Sequence, residues 1–174
     1  MAVTAADIKF HHCANRPAGT AETADSYGGS SVTDELDTAV VLHNLFDSIS
    51  GQQAEDGYTD HRKFFVRNAN VTDAYSNALL WCSIALVQSV NETWYFKVFT
   101  VASDLANVLS NVSSLALSDF DMTFNAAQTD TDGLDLSSIA AAGAVAIWIR
   151  RVIGAGCGSA PNEGTVMRVR GETA

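Results

Sequence analysis

AVAIWIRRVIGAG (144–156) and EGTVMRVRGETA (163–174) decide the fold of this chain. Both are rich in β-branched and apolar residues and stop at glycines, so each reads as a strand. The glycine-rich stretch GAGCG (154–158) between them reads as the loop of a terminal hairpin. It is not read as a phosphate cradle, because Pro161 and then a strand follow where a helix N-terminus would be needed. A chain whose last segments are a strand pair ends inside a sheet. On these strands Arg168 and Arg170 share a face, and Arg150 shares its face with Ala146 and Trp148. If the two strands pair, Arg150, Arg151, Arg168 and Arg170 form a basic strip, and they are the candidate interface residues.

Similar segments recur upstream. IKFHHC (8–13), a strand within 32–46, HRKFFVRN (61–68), ALLWCSIALV (78–87) and TWYFKVFTV (93–101) all read as strands. The last two are read as a pair, with Asn91-Glu92 at a tight turn between them. In DFDMTFNAA (119–127), Phe120, Met122 and Phe124 alternate with Asp119, Asp121 and Thr123, the pattern of a half-buried strand. NLFDSISGQQAEDG (44–57) lacks a strand period and is expected to hold one short helical turn. DLANVLSNVSSLAL (104–117) has helical spacing, but its asparagines and serines make it a poor helix, and one helical turn or irregular structure is expected. TDTDGLDLSSI (129–139) is read as a loop with Asp132-Gly133 at its tip. No βαβ alternation appears. The expected fold is therefore all-β: an antiparallel β-sandwich, jelly-roll or Ig-like, with about seven to eight strands and one short helical turn. Residues 1–30 are expected to form an extended N-terminal strand or arm and a polar loop, and 31–174 the sandwich, in one compact domain.

Composition narrows the function classes. At 174 residues with 47% apolar and 17% charged, the chain can bury a core and is too weakly charged for disorder. A net charge of −10 provides no basic footprint for nucleic acid and disfavours anionic membranes. Residues 1–7 lack the basic start of a secretory signal, and no apolar run reaches the roughly 18 residues of a membrane helix. Cys13, Cys82 and Cys157 are too few and too far apart for a disulfide framework or a CxxC site.

Candidate chemistry is sparse. His11, His12 and Cys13 are adjacent, but neighbours on a strand point to opposite faces, so they cannot all converge on a metal. Asp130, Asp132 and Asp135 partly resemble a calcium loop and are weak candidates for a cation. The pattern breaks at Leu134 after Gly133 and at Ala141, where a bidentate Glu is needed, so an Asx-turn is the expected role. No GxSxG, HExxH or Walker-type loop occurs, and nothing singles out a pair of catalytic carboxylates. No enzyme and no cofactor are expected.

Three blocks carry a resemblance. NLFDSISGQQAEDGYTDHRKFFVRNAN (44–70), NALLWCSI (77–84) and AIWIRRVIGAG with EGTVMRVRGET resemble a group of small β-sandwich proteins of tailed bacteriophages. That group has an NLFD-x-(V/I)-(S/T)-G turn, a YR-x-(I/F)-(Y/F)-V-(K/R)-N strand, a WI-(R/K)-R strand and a short x-x-(R/K)-V-x-G end strand. The blocks keep the same order and cover about half of the chain. His61 stands where tyrosine is usual, and 104–116 has no counterpart. The resemblance implies a virion structural protein, first of all a head decoration or cement protein. It would be made in the host cytoplasm and seated on the capsid surface, with the major capsid protein and copies of itself as partners. A tail, baseplate or fibre component is the first alternative. A carbohydrate-binding sandwich using Trp94 or Tyr95 as its platform is the second.

Overall fold

The computed structural model describes residues 2–13, 31–35, 45–46, 49–86, 91–99, 115–158 and 165–173. The expectations for most of 14–31 and 32–46 and for 104–114 fall outside these residues. Among the described residues the chain forms two antiparallel sheets. The strands are β1 (Ile8–Cys13), β2 (Ser31–Glu35), β3 (Tyr58–Asn68), β4 (Tyr75–Cys82), β5 (Glu92–Phe99), β6 (Met122–Phe124), β7 (Leu134–Ile139), β8 (Ala144–Ile153) and β9 (Met167–Thr173). One sheet has the order β2-β1-β3-β8-β5-β6 and the other β7-β4-β9. The all-β sandwich expected from the sequence is what the chain forms. No helix among the described residues is long and apolar enough to cross a membrane.

The core lies between the sheets and follows the two-residue period of the strands. From the larger sheet come Phe64 and Val66 of β3, Phe96 of β5, Phe124 of β6, and Val145, Ile147 and Ile149 of β8. From the smaller sheet come Ala78, Leu80 and Cys82 of β4 and Leu134, Leu136 and Ile139 of β7. β3 and β8 pair in unbroken register from Tyr58↔Ile153 to Arg67↔Ala144, and β5 takes the other edge of β8. β8 is thus a central strand with both faces largely buried.

The one α-helix among the described residues, α1 (Gly51–Asp56), is the helical turn expected within 44–57. Its start is a capping box: Gln53 N donates to Ser50 Oγ at 3.2 Å, and Ser50 N donates to Gln53 Oε1 at 2.9 Å. It ends at Gly57, whose φ of 85° and ψ of 147° suit glycine almost alone. That conformation turns the chain directly into β3.

Three expectations are corrected. β8 and β9 do not form a hairpin: β8 has β3 and β5 on its two edges, while β9 pairs with β4 in the other sheet. GAGCG therefore leaves one sheet and leads toward the other, instead of closing a hairpin. Likewise β4 and β5 are not a pair, because they lie in different sheets. Residues 134–139 are a strand and not part of a loop, since Leu134, Leu136 and Ile139 face the core.

Candidate functional site

Residues of the first and the last of the three sequence blocks meet at one end of the β3–β8 pair. Asp60 and Arg62 lie on the core-facing side of β3, in line with Phe64 and Val66. Arg151 lies opposite Asp60 on β8. The Asp60 carboxylate, 1% exposed, is 2.6 Å from Arg62 Nη1 and 3.1 Å from Arg151 Nη2, so one buried carboxylate holds two guanidinium groups. Arg62 also donates from Nε to the Leu45 carbonyl at 3.0 Å and from Nη1 to the His61 carbonyl at 2.7 Å. Phe46 closes the cluster, with Arg151 4.3 Å and Arg62 5.5 Å from its ring centre. Trp94, opposite Arg151 on β5, packs on Phe46 at 5.1 Å and donates from Nε1 to Glu92 at 2.6 Å.

A second group lies on the other face of the same sheet. Arg150 donates from Nε to His61 Nε2 at 3.0 Å and from Nη1 to the Leu115 carbonyl at 3.0 Å. Its guanidinium lies 4.6 Å from the Phe120 ring centre, and Phe120 packs on Tyr95. Lys63 Nζ lies 5.8 Å from the centre of the Trp148 ring. Burial, reinforced by the charge of Arg150, pushes the His61 pKa down to about 4, so His61 is neutral and accepts through Nε2. Burial also pulls Arg150 below the usual guanidinium range, with Tyr95 opposing the shift.

The four interface candidates are therefore not brought together. Arg150 and Arg151 are each only 7% exposed and point to opposite faces of the larger sheet. The expected strip fails because β8 has no free edge for β9. Arg168 and Arg170 do share a face of β9 and are exposed. Arg170 is held by Asp130 at 3.2 Å, while Arg168 donates to Ser83 Oγ at 3.1 Å.

The acidic candidates are used locally. Asp135 Oδ1 accepts from Ser137 N at 2.7 Å, the geometry of an Asx-turn. Asp132 Oδ2 accepts from Thr129 Oγ1 at 2.6 Å, and Asp130 meets Arg170. Among the described residues no group of three His, Cys, Asp or Glu side chains converges. His11 is buried on the outer face of β1, opposite Phe65. Of the two platform candidates, Trp94 is inside the core cluster, and Tyr95 lies on the opposite face of β5 against Phe120.

Sequence reasoning missed the cluster around Asp60, although its signal was present. Asp60, Arg62 and Asn68 occupy core-facing positions of a strand whose other members there are Phe64 and Val66. Asn68 is fully buried and donates from Nδ2 to the Asp73 carbonyl at 2.9 Å, tying β3 to the turn before β4. Gly171, which stands at the final glycine of the end-strand motif, lies so close to Tyr75 that an added Cβ would be 2.7 Å from its ring and 2.8 Å from the Ser76 carbonyl. The chain matches no protein-family model, no curated protein and no solved structure.

Proposed function

We propose that this chain is a non-enzymatic structural protein of a tailed-phage virion, a decoration or cement protein on the outer surface of the head. Its partners are the major capsid protein and neighbouring copies of itself. One observation carries the reading: Phe46, Arg62 and Arg151 come from three of the four motifs behind the resemblance, and Phe46 packs on the two guanidinium groups that share buried Asp60. Motif residues that hold one internal scaffold are what a shared sandwich requires. Two further motif positions also act structurally, Asn68 as a buried tie and Gly171 as a close approach to Tyr75.

A protein that binds the assembled shell and not its free subunits stabilises the shell by mass action. Modest contacts repeated over a lattice then add up. Particles lacking this protein test the reading. Their heads should lose genome at a lower temperature than complete particles, with matching density missing from the outer capsid surface. Heads of unchanged stability and unchanged capsid density would refute it.

A further inference from the structure

A groove of about 860 Å³ runs beside β9. One wall is β9 itself, with residues from both of its faces, including Met167 and Arg168. Tyr75 and Trp81 of β4 and Ile8 and Phe10 of β1 also line the groove. A groove lined by both faces of one strand follows the edge of that strand. Among the described residues β9 pairs only with β4 and ends the smaller sheet. Alternate residues of an edge strand direct their N–H and C=O groups away from the sheet, as a template for another strand.

The electrostatics specify what would fit. Arg62, Lys97, Arg151 and Arg170 each lie within 3.2 Å of a carboxylate. Arg168, exposed on the groove lip, has only Ser83 Oγ among the described residues and no carboxylate. An exposed cation without a carboxylate is the local complement of an incoming acid, while Glu172, four residues further along the same groove, accepts from Asn77 Nδ2 at 3.0 Å. We infer that this groove binds an extended segment of a different protein chain, which adds as a strand to β9, sets apolar side chains toward Ile8 and Phe10, and places an acidic side chain against Arg168. Main-chain hydrogen bonds supply affinity in this mode, and alternate side chains supply specificity. The inference stands on the groove alone and does not need the virion reading.

Three capped eight-residue peptides test it: valine alternating with glutamate, valine alternating with lysine, and the glutamate peptide with a central proline. Binding is followed by amide chemical shifts of the full-length protein. The glutamate peptide should shift Met167–Thr173 and bind at least about tenfold more tightly than the lysine peptide. The proline peptide should lose most of that binding, because it lacks a strand donor. Arg168→Glu should reverse the preference between the charged peptides, and Arg168→Ala should abolish it, with folds verified by unchanged shifts in β3 and β8. Absence of shifts in β9, or a preference unchanged in both variants, would overturn the inference. Self-association of the wild type that Arg168→Glu abolishes would also overturn it, by making a second copy the occupant.

Discussion

Arg150 donates a hydrogen bond from Nε to Nε2 of His61, 3.0 Å away across the β3–β8 pair. The contact requires a neutral imidazole, and burial holds the His61 pKa at about 4, below its ordinary 6.5. A histidine pKa lowered by folding contributes stability that is fully present above pH 6.5 and lost as pH falls through about 4. His61→Gln keeps an acceptor and does not titrate. Urea denaturation at pH 7, 5.5 and 4 should show a shallower loss of stability in this variant than in the wild type. Parallel pH profiles would contradict the assignment.

Asp60 should be among the most sensitive positions in the chain. Asp60→Ala leaves two buried guanidinium groups without their shared carboxylate, a loss expected to cost about 3–5 kcal/mol. Asp130→Ala removes the partner of exposed Arg170 and should cost less than about 1 kcal/mol. Chemical denaturation of the two variants checks the contrast, and similar losses for both would contradict it.

The period of the strands was legible, and their partners were not. HRKFFVRN has the alternation of β3, and the same period puts Asp60 and Arg62 on the core side with Phe64 and Val66. Alternation assigns faces, but it does not say which strand lies alongside. β8 was therefore read against its neighbour in sequence, β9, whereas it pairs with β3 and β5 over most of its length. β7 was hidden for a different reason. Leu134 and Leu136 follow the two-residue period, but Ser137 has a positive φ of 60° and Ala78 opposite it lies at a register shift. Ile139 then returns to the core one residue out of phase, so LDLSSI lacks a clean strand signature.

Gly57 and Gly156 should respond differently to alanine. Gly57 combines φ 85° with ψ 147°, and an added Cβ would lie 3.2 Å from the Ile153 carbonyl oxygen. Gly57→Ala should cost about 2–3 kcal/mol. Gly156 has φ 76° but nothing within 4 Å of an added Cβ, so Gly156→Ala should cost about 1 kcal/mol. Thermal melts of the two variants measure the difference, and a Gly57→Ala melt equal to wild type would refute the role given to this glycine.

Two thiols should differ in reactivity. Cys82 is buried between the sheets, and burial pushes its pKa up to about 12, whereas Cys157 is half-buried in the loop after β8. Thiolate is the reactive form. In a Cys13→Ser background at pH 8, a thiol reagent should label Cys157 in the native protein and Cys82 only on unfolding. Peptide mapping that finds Cys82 labelled as fast as Cys157 would contradict the buried placement of β4.

The head-decoration reading is tested most directly by counting and locating this chain on intact particles. Quantitative mass spectrometry against the major capsid protein, with cryo-electron microscopy of the same particles, provides both. The account predicts copies on the order of hundreds per particle, arranged with the symmetry of the capsid lattice on its outer surface. A dozen copies or fewer, confined to the tail, or none at all, would contradict it.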